Sequence, residues 1–300
     1  MLKGLAITPP VVGRISIGRV VDRNGKRLPE KDDQFTLTSQ IQNREGWILH
    51  PLDEGLRQAA GGKLRSLPVR LMFNDPALNL RADYSLFDRA TGRPMCVGNG
   101  DACRRATQEG IATLPCPGPT ACAYASGDCK AYARLNVLVG ETEEDALGSF
   151  ILRTTSFNTI RTLAARMQYY SAVSGDLLAC MPLELKLRGK STTLSHRSAI
   201  YYVDLVVRSG RTLEQAVAEA RELDAARRGA GIEQAALDEA ARRGFANGAF
   251  EELEEDVPAV VEEFYPAGEP SDSAVPRPVA AVGGLRERLE SKLARTSAGA

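Results

Sequence analysis

Histidine is nearly absent: His50 and His196 are the only two in 300 residues. Hydrolysis through a histidine base, or a catalytic metal held by imidazoles, has little to draw on. Tryptophan occurs once, as Trp47 in Gly-Trp-Ile-Leu-His, and reads as a core or rim aromatic. An excess of charge is missing too, since Lys+Arg and Asp+Glu stand at 38 each. The chain as a whole therefore does not advertise itself as a nucleic-acid binder. No apolar run approaches the roughly eighteen residues of a membrane span, so no membrane association is expected. The opening stretch MLKGLAITPPVVGRISIGRV lacks the long apolar core of a secretory signal, and the expected location is cytoplasmic.

What is present stands out against these gaps. Five of the six cysteines, at 96, 103, 116, 122 and 129, fall between Met95 and Leu138. Glycine and proline punctuate this stretch, and no apolar period runs through its middle, so it needs a tie to hold it. In a reducing compartment that tie is a thiolate metal site rather than disulfides, with tetrahedral zinc the best match. The expected ligands are Cys96, Cys116, Cys122 and Cys129. Cys116 precedes Pro117-Gly118-Pro119 and Cys129 follows Gly127-Asp128, turn residues that bring backbone amides near a thiolate. Cys103, in Asp101-Ala-Cys-Arg-Arg-Ala, reads as the start of a short helix and as the spare thiol. The spacing is not the CxxC knuckle of the best-known fingers, and reduced structural thiols without metal are the alternative. The zinc would be structural, with no position open for catalysis.

Around this insert the chain reads as α+β: a β-rich domain of antiparallel strands with one central helix, then C-terminal helices. Residues 1–60 read as strands and turns, with Asn24-Gly25 as a hairpin turn. Phe35, Leu37 and Ile41 share one face. Arg14, Arg19, Arg23, Lys26 and Arg27 crowd this opening, either as a surface for nucleic acid or an acidic partner or as a solvated strand face. His50-Pro51-Leu52-Asp53-Glu54 reads as a loop leading into another element. Strands are expected at 69–73 and 78–87, the second presenting Leu80, Ala82, Tyr84 and Leu86 on one side. After the cysteines come strands at 134–139 and 148–153, joined by an acidic turn. Ser156 then caps a helix carrying Ile160, Leu163, Ala164 and Met167 on one face, with Arg161 and Arg166 elsewhere on it. Residues 183–188 and 199–207 alternate as strands.

The expected domain spans 11–208 with its cysteine-rich insert at 95–132. A helical extension covers 209–265, opening on the capping box Thr212-Leu-Glu-Gln215 and including the acidic run at 251–256. Residues 266–284, rich in Pro, Gly and Ser, read as a flexible linker. A short amphipathic helix at 285–296 closes the chain, carrying Leu285, Leu289 and Leu293.

The order of these features resembles a known family. A strand ends in a Cys-x-Gly loop at Cys96 and Gly98, a Cys-Pro-rich insert follows, and then comes ARLNVLV…GSFILRTTSFNTIRTLAARM. Gly148, Phe150, Leu152, Thr154, Ser156 and Phe157 match a Gly-x-Phe-x-(Phe/Leu)-x-(Thr/Ser)-x-Ser-(Trp/Phe) segment leading into a helix. The pattern, over roughly 11–208, is similar to that of the recombination directionality factors that phages and other mobile elements use with large serine integrases. The upstream cysteine loop of that family matches at Cys96, Cys116, Cys122 and Cys129. The resemblance implies a non-enzymatic accessory protein that binds an integrase on its DNA sites and favours excision over integration. It implies a protein partner, no small-molecule substrate, and a population shift between synaptic arrangements. Arg14, Arg19, Lys26 and Arg161 are the candidate contacts to that partner or to DNA.

Two rivals come from other classes. Direct DNA or RNA binding would place Tyr84, Tyr124 and Tyr132 on one exposed sheet face beside basic residues. A metal-dependent hydrolase or nuclease would draw on Asp83, Asp88, Asp101, Asp128 and His50, though no HxH, DxD or HExxH pattern gathers them.

Overall fold

The computed structural model describes residues 10–23, 26–44, 46–140, 148–191, 199–244 and 257–265. The chain divides into two compact units, 1–267 and 268–300, and every described residue belongs to the first. The linker and tail helix expected at 266–284 and 285–296 lie outside the described residues, as do the hairpin residues 24–25 and the acidic stretches 141–147 and 251–256.

Strands β1 (Val11–Arg23) and β2 (Lys26–Asn43) form a long antiparallel ribbon, edged by β3 (Gly46–Leu49). Helix α1 (Pro51–Ala59) follows, then β4 (Ser66–Arg70), the single turn α2 (Pro76–Asn79) and β5 (Leu80–Phe87). Next come β6 (Pro94–Gly98), β7 (Ala102–Thr107), β8 (Gly110–Pro115), β9 (Lys130–Val139) and β10 (Ser149–Thr154). The long helix α3 (Phe157–Ser174), a 3-10 turn at Leu178–Cys180, β11 (Leu183–Lys190) and β12 (Ile200–Val207) complete the β-rich part. Helices α4 (Leu213–Gly229), α5 (Gln234–Gly244) and α6 (Val257–Phe264) come last.

The main sheet runs β3-β2-β1-β10-β9-β5-β6-β7-β8, and β9 also pairs with β4, which leads to β11 and β12. The β1–β10 pair is parallel and the other pairs of these strands are antiparallel. Alternation sorts the side chains. Ile15, Phe35, Leu37, Leu135, Val137, Phe150 and Leu152 point to one face, where α3 lays Ile160, Leu163 and Met167 on them. Leu183, Leu185, Val203 and Leu205 close the core from β11 and β12. Each such side chain stabilises the fold by roughly 1.5–3 kcal/mol relative to exposure. Helix α3 begins where the Ser156 hydroxyl accepts the Thr159 N–H at 3.4 Å and ends on Gly175 at φ 70°, a left-handed cap that glycine adopts without strain.

Three expectations need correction. The domain contains α1 and α2 in addition to α3, so its helix content exceeds one central helix. The loop expected at His50 is the start of α1: His50 Nδ1 accepts the Leu52 N–H at 3.2 Å and Pro51 occupies the first turn, where its missing N–H costs nothing. Asp53, buried beneath, accepts the Leu37 N–H at 2.8 Å and Arg57 Nε at 3.0 Å, fastening this helix to β2. The helical start expected around Cys103 is instead strand β7, because pairing with β6 and β8 fixes that segment as extended chain.

Candidate metal centre

Strand register gathers the thiols. Cys96 pairs with Leu86 on one side and Arg105 on the other; Gly98 pairs with Tyr84 and Cys103. These residues therefore share one sheet face, since side chains alternate with period two. Cys103 pairs in turn with Leu114, and Cys116 lies two residues further on, its N–H donating to Asp101 O at 2.9 Å. The segment between β8 and β9 then folds over that face. Its turns need left-handed backbone at Gly118 (φ 78°), Ser126 (φ 47°) and Gly127 (φ 93°), which brings the chain round to Cys129 at the mouth of β9.

The result is a cavity of about 10 Å³, lined by Cys96, Cys103, Cys116, Cys122 and Cys129 together with Arg105. That volume is near that of a single water-sized sphere. Gly98 makes the crowding possible: a Cβ there would stand 2.7 Å from Cys103 Cβ and 2.8 Å from Cys116 Sγ. All six cysteines of the chain are free thiols in this structure. Cys103, 3% exposed, directs its sulfur toward Pro115 O at 3.7 Å. Arg105 sets its guanidinium carbon 3.9 Å from the Tyr124 ring centre, beside Cys96.

The electrostatics of the metal-free cluster are those of crowded thiols. Burial, then the neighbouring Cys96, pushes Cys103 up to about 11. Burial, then the other cysteines, pushes Cys129 up to about 12. Several thiolates cannot coexist in so small a space without a cation. Among the described residues, no group of three or more Cys, His, Asp or Glu side chains already stands in metal-ligating geometry. The donor set itself, five thiols lining one small cavity, is of the softness and number that zinc takes. Cys96, Cys116, Cys122 and Cys129 would hold it, and Cys103 belongs to the same cluster rather than standing apart.

The other candidate residues are not brought together. Arg14 lies on the face opposite the core, its guanidinium carbon 3.9 Å from the Trp47 ring centre. Arg161 is exposed on α3, which packs against the core face. Arg19 and Lys26 fall on β1 and β2, and their side chains lie outside the described residues. Tyr84 and Tyr124 line the thiol cavity, whereas Tyr132 is buried on the opposite face against Phe87 at 5.2 Å between ring centres. The three tyrosines thus make no common stacking platform. Asp88 closes a turn by accepting the Thr91 N–H at 2.7 Å, Asp128 stands 3.5 Å from Arg89, Asp101 is exposed, and Asp83 faces away from the thiols among arginines. His50 is the cap of α1. Arg105 was not legible as part of the cluster, because only cross-strand pairing sets it beside Cys96.

The motif that ends in α3 has a plain structural meaning. Phe150 and Leu152 are core residues of β10, and Ser156 is the helix cap. Residues 12–208 match a family model described as Gp3-like, recombination directionality factor-like. No curated protein and no solved structure matches the chain.

Proposed function

The chain belongs to that recombination directionality factor-like family, and from this premise we propose that it is a non-enzymatic accessory protein of site-specific recombination. In this reading it binds a serine integrase on its DNA sites and shifts the synaptic equilibrium toward excision. The family match over 12–208 is the observation that carries the reading. A ligand redirects such an equilibrium only by binding one arrangement better than the other, which requires a rigid presenting surface. The sheet supplies the frame, and the thiol cluster supplies the means of fixing the 116–129 segment upon it.

Zinc is the proposed tie. When bound it would neutralise the thiolates and clamp the segment to β5, β6 and β7, with no chemistry of its own to perform. Arg105, beside Cys96, would offset part of the negative charge that four thiolates place around one divalent ion. A phage or other mobile element is the proposed setting, with the cytoplasm as the compartment that keeps the thiols reduced.

The test is a recombination assay with the serine integrase of the same element and its attL and attR substrates. Excision that requires the protein, and is lost with Cys116→Ser, is the expected result. Unchanged recombination together with steep salt-dependent binding to naked DNA would replace this reading with a nucleic-acid-binding role.

A further inference from the structure

The strands that carry the thiols also have a reverse side. Neighbouring residues of a strand point to opposite faces. On β5, Leu86 lines the thiol cavity and Phe87 turns the other way; on β6, Cys96 and Val97 divide in the same manner. Cys129 lines the cavity too, and just beyond it Lys130 and Tyr132 of β9 face away with Phe87.

Helix α6 is seated on that reverse side. Val260 and Phe264 pack on Phe87, Val97 and Tyr132, with the Phe87 and Phe264 ring centres 4.9 Å apart. These five side chains form a cluster of their own, separate from the main core. The far end of the helix is held by residues that adjoin the cavity lining. Lys130 Nζ, next to Cys129, donates to Phe264 O at 3.3 Å. The Tyr265 hydroxyl donates to Phe87 O, next to Leu86, at 2.6 Å. Arg89 sets its guanidinium carbon 4.4 Å from the Tyr265 ring centre and stands 3.5 Å from Asp128, the residue before Cys129.

A helix of eight residues is too short to persist in water by itself, so α6 depends on the shape of this seat. The backbone at 86–87, 96–97 and 128–130 sets that shape, and the same backbone sets how Cys96 and Cys129 approach the other thiols. Close-packed interiors pass such displacements on rather than absorbing them. Cavity and seat both lie within the family-matched 12–208, whereas α6 lies beyond it.

We propose that α6 and the thiol cluster are coupled through the sheet, so that gathered thiols hold the seat in shape and a docked α6 keeps the thiols gathered. Linkage makes the effect reciprocal. The coupling itself needs no metal. A cation that draws the thiolates together, zinc in the reading above, would strengthen it, and only that part rests on the reading. The docking of this C-terminal helix then follows the state of the cysteines.

The experiment follows alkylation by iodoacetamide, cysteine by cysteine, by mass spectrometry of the full metal-free chain. Val260→Ala with Phe264→Ala removes the apolar grip of α6. Cys96 and Cys129 are expected to react about fivefold faster or more, at the lower end of usual coupling energies. Cys180, buried in the main core, is expected to keep its rate. Should the variant fold poorly, the unaltered protein answers the question. Blocking its thiols with methyl methanethiosulfonate should quicken hydrogen exchange over 257–265 by a similar factor, leave α4 unchanged, and be reversed by dithiothreitol. Equal alkylation rates in a folded variant would overturn the proposal. So would exchange in α6 that ignores the blocked thiols, or that quickens no more than exchange in α4. If the protein takes up no zinc while these rates still move together, the metal reading falls and the coupling stands.

Discussion

Gly98 is the residue on which the thiol cluster depends most visibly. The Cβ of Gly98→Ala would stand 2.9 Å from Ala102 O, a backbone atom, in addition to Cys103 Cβ and Cys116 Sγ. Relief requires β6 and β7 to part, which should cost about 1–3 kcal/mol. Chemical denaturation of Gly98→Ala should show that loss, and a wild-type midpoint would refute the crowding. Asp204 offers a second case. Its buried carboxylate takes Arg166 Nε at 3.0 Å and Arg188 Nε at 3.3 Å, the first joining α3 to β12. Removing it breaks both pairs but leaves two half-exposed arginines that water can solvate, so Asp204→Ala should destabilise by about 1–2 kcal/mol, and an unfolding midpoint within error of wild type would dispose of that claim. Neither role is visible in the sequence. Gly98 reads there as the glycine of a Cys-x-Gly loop and Asp204 as one polar residue within an alternating strand, because tertiary neighbours decide both: Ala102, Cys103 and Cys116 around the first, Arg166 and Arg188 beside the second.

At the scale of elements, α1 carries a pH dependence. Burial lowers the pKa of His50 below its ordinary 6.5. The folded state then holds fewer protons on this group than the unfolded chain, so stability rises with pH through the window below 6.5. The contribution is present above pH 6.5 and is lost as pH falls through the folded pKa, when a proton on Nδ1 also removes the acceptor of the Leu52 N–H. Replacing it by His50→Asn, which caps without titrating there, should flatten that part of the stability profile. An unaltered slope would assign the dependence to other groups. The longer elements were legible in advance: α3 through its cap and apolar face, β11 and β12 through strict alternation. Helix α1 was not, because a nine-residue helix opened by histidine and proline carries little periodic signal. Cys103 misled for the opposite reason, since Asp-Ala-Cys-Arg-Arg-Ala favours a helix locally and loses to sheet pairing.

At the scale of the molecule, one sheet divides its tasks between its faces. One face builds the core and, at the β5–β7 end, the thiol cavity. The other carries Arg81 and Arg134 and seats α6. Cysteine number and turn residues drew attention to the segment whose thiols line one cavity, but not to the arginine beside them or to the opposite face. Those depend on which strands neighbour one another, and that order is set by tertiary pairing rather than by any local pattern.

The claim at the centre of this account is that the five-thiol cavity is a structural zinc site, and metal content tests it most directly. Protein purified without added metal or chelator should contain close to one equivalent of zinc. The equivalent should persist in Cys103→Ser and disappear in Cys116→Ser, since the first leaves four ligands and the second leaves three of the proposed set. Wild-type protein that is folded yet carries far less than one equivalent would contradict the account, and the cluster would then stand as reduced thiols packed for structure alone.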